Sequence, residues 1–429
     1  MRRDLPALAV FALLIGGAHW IGEWLLAQGW RTRILAAPLL GSFQTFLSWR
    51  TLPMLIVAVA FAARLPRWSL TATWPRLLWG SAGAVVAWSL ALAFNRGGWT
   101  EVGRPMALRG HYLLDVGRVG PPTEYLAQFV EHIDTYGTHV RAHPPGFLLV
   151  LWAMDRIGLD GAQWAGVLAI VGGASAIPAV LVCARELSDE SWARRAAPFL
   201  VLAPAALYVA STADAFFAGV VAWGVAWTLL GTSRKGAARD ALGIAGGLAL
   251  AFALLLSYGL ALFGVPIAAV LLARRSWRLG TITSATILAV IAAVHVAGFS
   301  WLAGLAATRR EYAESVAQER PYAAFLLINA AAFAIVVGPA TLAGLSNLWT
   351  RTPRGFSALV AIGLSCAGLA AVSGLSKGEV ERIWLPFAFF TLPAAAATTA
   401  RRSRRATRSW LSAQAGVAIG VQCFVRTNW

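Results

Sequence analysis

The chain is poor in charge. Only 13% of its 429 residues are Asp, Glu, Lys or Arg, about half the quarter usual in a soluble protein. With 58% hydrophobic residues and a mean hydropathy of +0.65, a soluble globular protein is excluded. Cysteine is scarce too. Cys183, Cys366 and Cys423 stand singly in or beside apolar runs, which excludes both a disulfide framework and a thiolate metal site. Arg3 followed by the apolar run 5–26 has the start of a signal peptide but lacks a small-residue cleavage site, so it reads as a retained first span. Internal repeats and low-complexity linkers are lacking as well. Residues 1–429 therefore read as one integral membrane domain with no soluble module.

What the chain does have is apolar runs, almost end to end. They predict an all-α polytopic membrane protein of about thirteen transmembrane helices, at 5–27, 36–63, 77–95, 163–184, 196–211, 215–231, 241–257, 259–273, 279–302, 323–345, 356–375, 385–400 and 409–426. The net charge of +17 invites a nucleic-acid partner, but its distribution removes that reading. The alternate connections carry Arg2/Arg3, Arg64/Arg67/Arg76, Arg185/Arg194/Arg195, Arg234/Lys235/Arg239, Arg274/Arg275/Arg278, Arg351/Arg354 and Arg401/Arg402/Arg404/Arg405/Arg408, against few acids such as Asp4 and Asp240. Basic connections stay in the cytoplasm, so the charge is a topology signal. It places the N-terminus inside and the other loops outside a cell membrane.

One apolar stretch is too short to cross. Residues 146–158 follow Arg141-Ala142-His143-Pro144-Pro145-Gly146, where two prolines end a loop and start a helix. The apolar part would make a helix of about 18 Å against a hydrocarbon core of about 30 Å. It is predicted to be re-entrant or to lie at the membrane surface. Either reading leaves the connection at 185–195 cytoplasmic.

The unusual residues then gather on the outer face. The large loop 96–145 holds four of the six histidines, His111, His132, His139 and His143. Within it Tyr125, Leu126, Phe129, Val130, Ile133 and Tyr136 recur at helical spacing and predict an amphipathic helix, on the bilayer or packed on the spans. Asp214 sits between two apolar runs at an outer turn. A carboxylate there is either a helix cap or a paired or functional group. Arg309 and Arg310 lie in the outer loop 303–322. Lys377, Glu379, Glu381 and Arg382 form the last outer cluster. Its cations either pair with their neighbouring acids for little energy or, with Arg141, receive a phosphate through charge-assisted hydrogen bonds.

In order, the chain reads His-Pro-Pro-Gly-Phe-Leu-Leu from His143, Thr-Ala-Asp-Ala-Phe-Phe from Thr212, Ser-Tyr-Gly around Tyr258, and Lys-Gly-Glu-Val-Glu-Arg-Ile-Trp-Leu-Pro-Phe from Lys377. This order resembles the GT-C superfamily of polytopic glycosyltransferases, in particular bacterial relatives of protein mannosyltransferases and lipid A aminoarabinose transferases. The likeness runs over about residues 77–400. It implies a GT-C-like fold in the cell membrane and an extracytoplasmic active site that moves a sugar from a polyprenyl-phosphate donor to a hydroxyl of a glycan, lipid or protein.

On that resemblance Asp115 and Glu101 are the first candidates for the general base, with Asp214 a supporting carboxylate. Arg141, Lys377 and Arg382 stabilise the departing phosphate and His143 orients it. Tyr258, Glu379, Glu381, Arg309 and Arg310 stand in support. The sequence departs from the family in two ways: Asn95 occupies the position of the usual leading acid, and two extra spans precede the loop. No metal ligands are assigned, and a divalent cation, Mg²⁺ or Mn²⁺, stays open as a cofactor. The alternative function is a transporter or lipid flippase, which would show broken helices or charges near the midplane. A metalloenzyme built on the loop histidines fits no standard ligand spacing.

Overall fold

The computed structural model describes residues 5–399, 403–427 and 429. Arg2, Arg3, Asp4, Arg401 and Arg402 of the topology argument lie outside the described residues. The chain is an all-α polytopic membrane protein, the architecture expected where backbone groups must be satisfied within each segment. Three helices come first, α1 (Leu5–Ala27), α2 (Leu52–Thr71) and α3 (Trp74–Gly97). The loop after them holds the short helices α4 (Pro122–Gln128) and α5 (Thr138–Arg141) and leads into α6 (Gly146–Arg156). Next come α7 (Gly161–Leu187), α8 (Glu190–Val201), α9 (Ala213–Gly231) and α10 (Gly236–Leu256). The chain continues through α11 (Gly264–Ala273), α12 (Trp277–Val296), α13 (Trp301–Ala313) and α14 (Tyr322–Leu345). It closes with α15 (Leu348–Arg351), α16 (Arg354–Ser373), α17 (Val380–Ile383), α18 (Leu385–Thr391) and α19 (Arg404–Phe424).

Among the described residues, nine helices are long and apolar enough to cross a membrane: α1, α2, α3, α7, α9, α10, α12, α14 and α16. Tyr258–Ala273 and Leu385–Thr398 are shorter apolar helices. The other two expected spans fall on α8 with the turn after it and on α19, an amphipathic helix that buries Gln414 and Gln422.

The expected span at 36–63 is not one helix. Residues 36–40 are a buried irregular segment, Gly41–Phe43 form strand β1, and helix resumes with a 3-10 turn at Trp49–Thr51 that runs into α2 at Leu52. Hydropathy registers burial whatever does the burying, and here the apolar run packs on protein. Strand β1 pairs antiparallel with β2 (Val425–Thr427), Gly41 opposite Thr427 and Phe43 opposite Val425. The C-terminus is thereby tied to the same end of the bundle as the loop after α1.

α14 is broken in its middle. Pro339 has no N–H to donate, and Gly338 takes a left-handed φ of 76°. Gln414 of α19 bridges the break: its Nε2 donates to Val337 O at 2.9 Å and its Oε1 accepts from Ala340 N at 3.3 Å. A broken helix is a feature expected of a transporter, but here a glutamine satisfies the freed backbone.

Candidate functional site around Arg382

The site begins with a backbone reversal. After α16 the chain passes through Ser376, Lys377, Gly378 and Glu379, with Gly378 at φ 87° and Glu379 at φ 63°. A left-handed glutamate is rare and persists only where its surroundings impose it. Asn329 of α14 supplies that constraint: its Nδ2 donates to Ser376 O at 2.5 Å and its Oδ1 accepts from Gly378 N at 2.9 Å. Arg320 adds a second anchor. Its Nε donates to Thr32 O at 3.2 Å, its Nη1 donates to Lys377 O, and its own carbonyl accepts from Lys377 Nζ at 3.0 Å. Lys377 N donates to the Tyr312 hydroxyl at 2.9 Å.

The reversal delivers Arg382 to the first turn of α9. Arg382 Nη1 donates to Asp214 Oδ2 at 2.9 Å, and Nη2 donates to Glu379 Oε2 at 2.6 Å and to His139 Nδ1 at 3.2 Å. Its guanidinium also lies 4.7 Å from the Trp429 ring centroid. Arg382 and Asp214 are only 5% and 3% exposed, whereas the Glu379 side chain keeps 28% of its surface. The cluster therefore has an inner carboxylate and an outer one. Burial alone would lower the Arg382 pKa, but Asp214 and Glu379 reverse that and hold it above its ordinary value.

The histidines approach from the loop. Asp115 organises that approach: its Oδ2 accepts from Gly137 N at 2.7 Å and its Oδ1 from Arg118 Nη1 at 3.1 Å, clamping the two halves of the loop together. His111 then stacks on His139 with ring centroids 3.8 Å apart. His143 Nδ1 bonds His139 O at 2.8 Å, and Tyr112 lies within 6 Å of both the His139 and His143 rings. Burial, followed by the charge of Arg382, lowers the pKa of His111 to about 4 and lowers that of His139. Burial also lowers that of His143. The three imidazoles are neutral at neutral pH.

The other expected residues are distributed around this core. Arg141 Nη1 donates to Glu311 Oε2 at 2.9 Å on α13, one residue before the Tyr312 that holds Lys377. Thr308 donates to Arg141 O at 2.9 Å, and Tyr258 stacks edge-on against Trp301 at 5.2 Å. Arg309 and Arg310 are exposed and make no side-chain bond among the described residues. Glu101 is held by Arg104 through both oxygens, at 3.1 and 3.0 Å, at the end of α3. Glu381 faces away from Arg382: its Oε1 accepts from Leu40 N at 3.0 Å, its Oε2 has no partner among the described residues, and burial raises its pKa to about 7. The structure thus brings Asp214, Glu379 and Arg382 together with His139 and its neighbours His111 and His143. Asp115 and Glu101 are engaged elsewhere in the loop.

The apolar face of the loop helix turns inward. α4 ends at Gln128, earlier than the spacing predicts, and Phe129 packs on Tyr136 at 5.6 Å and on Phe299 at 5.7 Å.

No protein-family model and no curated protein sequence matches the chain. It is similar in structure to ArnT from Cupriavidus metallidurans. Two solved structures of that protein, one bound to undecaprenyl phosphate and one in the apo state, match with 21% and 22% identity and TM-scores of 0.45 and 0.46. In both, the match covers 76% of this chain, but it spans only 61% and 60% of the ArnT chains.

Sequence reasoning assigns none of Asn329, Tyr312 and Arg320 to the site, and it names His139 only as one of the four loop histidines. Asn329 did carry a signal, since it is a lone amide in an otherwise apolar 24-residue helix.

Proposed function

We propose that the protein is an extracytoplasmic glycosyltransferase of GT-C type, moving a sugar from a polyprenyl-phosphate donor to a hydroxyl acceptor. The observation that carries this reading is the two-sided pairing of Arg382. A buried guanidinium with one permanent carboxylate and one displaceable carboxylate is a receptor for a phosphate.

The donor phosphate takes the Nη2 edge of Arg382 and displaces Glu379, while Asp214 keeps the guanidinium in place. Glu379, freed beside the phosphate, then accepts the proton of the acceptor hydroxyl. The acceptor oxygen bonds to the sugar's anomeric carbon, the bond from that carbon to the phosphate oxygen breaks, and the electron pair stays on the lipid phosphate. Arg382 stabilises the charge that develops there, the kind of preorganised electrostatics that dominates many enzymes. Lys377 and Arg141 add positive charge around the same reversal. The neutral histidines give the phosphate hydrogen-bond partners without neutralising Glu379. Asp115 and Glu101 serve in this scheme by shaping the loop, since the arginines they hold, Arg118 and Arg104, are not the one that receives the phosphate.

The test incubates the purified full-length protein with radiolabelled polyprenyl-phosphate sugars and membrane acceptors. Transfer falls by a factor of about 100 or more in Arg382→Gln and in Glu379→Gln. Asp115→Asn and Glu101→Gln keep most of the rate. Undiminished transfer in Arg382→Gln overturns the proposal, and lipid scrambling without sugar transfer supports the flippase instead.

A further inference from the structure

A second cationic site lies apart from the Arg382 cluster, where the segment leading into α2 meets the end of α3. A cavity of about 280 Å³ is lined there by Phe46, Ser48, Trp49, Arg50, Asn95 and Arg96, among others. It contains two guanidinium groups and no carboxylate. Arg50 lies 5.7 Å from the Trp49 ring centroid and Arg96 lies 5.0 Å from that of Phe46. Arg96 Nη2 donates to Val425 O, but its Nε is buried with no partner among the described residues.

Of the neighbouring carboxylates, Glu101 offsets part of the Arg96 charge. The Asn95 side chain is engaged on both its atoms, Oδ1 accepting from Thr51 at 2.9 Å and Nδ2 donating to Phe46 O at 3.1 Å. Glu101, further along the chain, is held by Arg104. The Ser48 hydroxyl oxygen accepts from Arg50 N at 3.2 Å, which leaves its O–H free to donate into the cavity. Immediately beyond the cavity, Leu52, Ile56 and Val59 are exposed on α2. Their spacing of four and then three residues puts them on one helix face, and Leu47 and Trp49 extend the exposed apolar surface to the cavity mouth.

We propose that this cavity binds the phosphate of a membrane phospholipid, whose acyl chain lies along the Leu52–Ile56–Val59 face. Arg50 and Arg96 donate to the phosphate oxygens, and the indole of Trp49 sits at the boundary between headgroup and chain, where tryptophan is favoured. The site belongs to the part of the chain before the large loop, and the inference does not depend on the glycosyl-transfer reading.

The test uses the full chain in detergent and native mass spectrometry with two lipids that differ only in the phosphate, dioleoylphosphatidate and dioleoylglycerol. Phosphatidate is retained about tenfold or more tightly than dioleoylglycerol. Arg50→Glu and Arg50→Gln each weaken phosphatidate by about tenfold, and Arg109→Glu, an exposed arginine elsewhere on the loop, leaves it unchanged. Thermal unfolding confirms that each variant is folded. Equal retention of the two lipids, or wild-type binding in both Arg50 variants, overturns the site. Inorganic phosphate that competes at the same concentration as phosphatidate overturns the lipid part, because the acyl face then contributes nothing.

Discussion

Arg382 Nη1 reaches Asp214 Oδ2 across 2.9 Å, although the two residues stand 168 positions apart and both are almost wholly excluded from solvent. Removing Arg382 leaves the Asp214 charge buried and uncompensated, which costs about 3–5 kcal/mol, more than the pair itself contributes, whereas removing Asp214 leaves Arg382 with Glu379 alone. Asp214→Asn and Arg382→Met should each lower the unfolding temperature in detergent strongly. The double variant should recover a measurable part of that loss. A double variant as unstable as the sum of the two singles would show that the residues do not act as a pair.

Glu381 should give the protein a pH-dependent stability. Its pKa is raised from 4.5 to about 7 in the folded chain by burial, so the folded state holds a proton that the unfolded state releases. The stabilisation is fully present below about pH 4.5 and is lost as pH rises through about 7, an effect on the order of 3 kcal/mol. Glu381→Gln keeps an oxygen for Leu40 N and cannot ionise. Its unfolding temperature should match wild type at pH 5 and exceed it at pH 8. The same deficit at both values would disprove the titration.

Gln414 should be structural and sensitive to shape. Substituting leucine keeps the volume but leaves Val337 O and Ala340 N without partners in an apolar interior, at about 1–3 kcal/mol for each. Gly338→Ala should also destabilise, because a Cβ there would lie 1.9 Å from Gln414 Oε1 and the φ of 76° disfavours it. Both effects are read by thermal unfolding. Wild-type stability in Gln414→Leu would mean that the break in α14 is satisfied by something else.

Asn95→Asp restores an acid at the position where the resemblance expects one, and it should restore nothing. The Asn95 Nδ2 donates to Phe46 O at 3.1 Å, and a carboxylate oxygen there would face a carbonyl oxygen. The variant should lose about 1–3 kcal/mol of stability and gain no transfer activity. An increase in transfer with unchanged stability would return the base role to position 95.

The sequence alone determined the class of protein and the residues worth watching. Low charge, long apolar runs and basic connections follow from how a bilayer prices polar groups, and that rule acts on each segment separately. Asp214 stands out as a carboxylate between apolar runs, Glu379 and Arg382 as members of a charged outer cluster, and His143 as the residue before two prolines, and each of these signals is local. Only the tertiary structure decided which of them meet. Asn329 fixes the reversal at 376–379, Asp115 folds the loop so that His139 reaches Arg382, and Gln414 mends α14, and each does so through a partner at least 22 positions away. Residues 36–40 show the same limit from the other side, since an apolar run states that it will be buried but not whether lipid or Glu381 will bury it. Hydrogen bonds and ion pairs between distant segments depend on position in space to within a few tenths of an ångström, and neither periodicity nor composition records that.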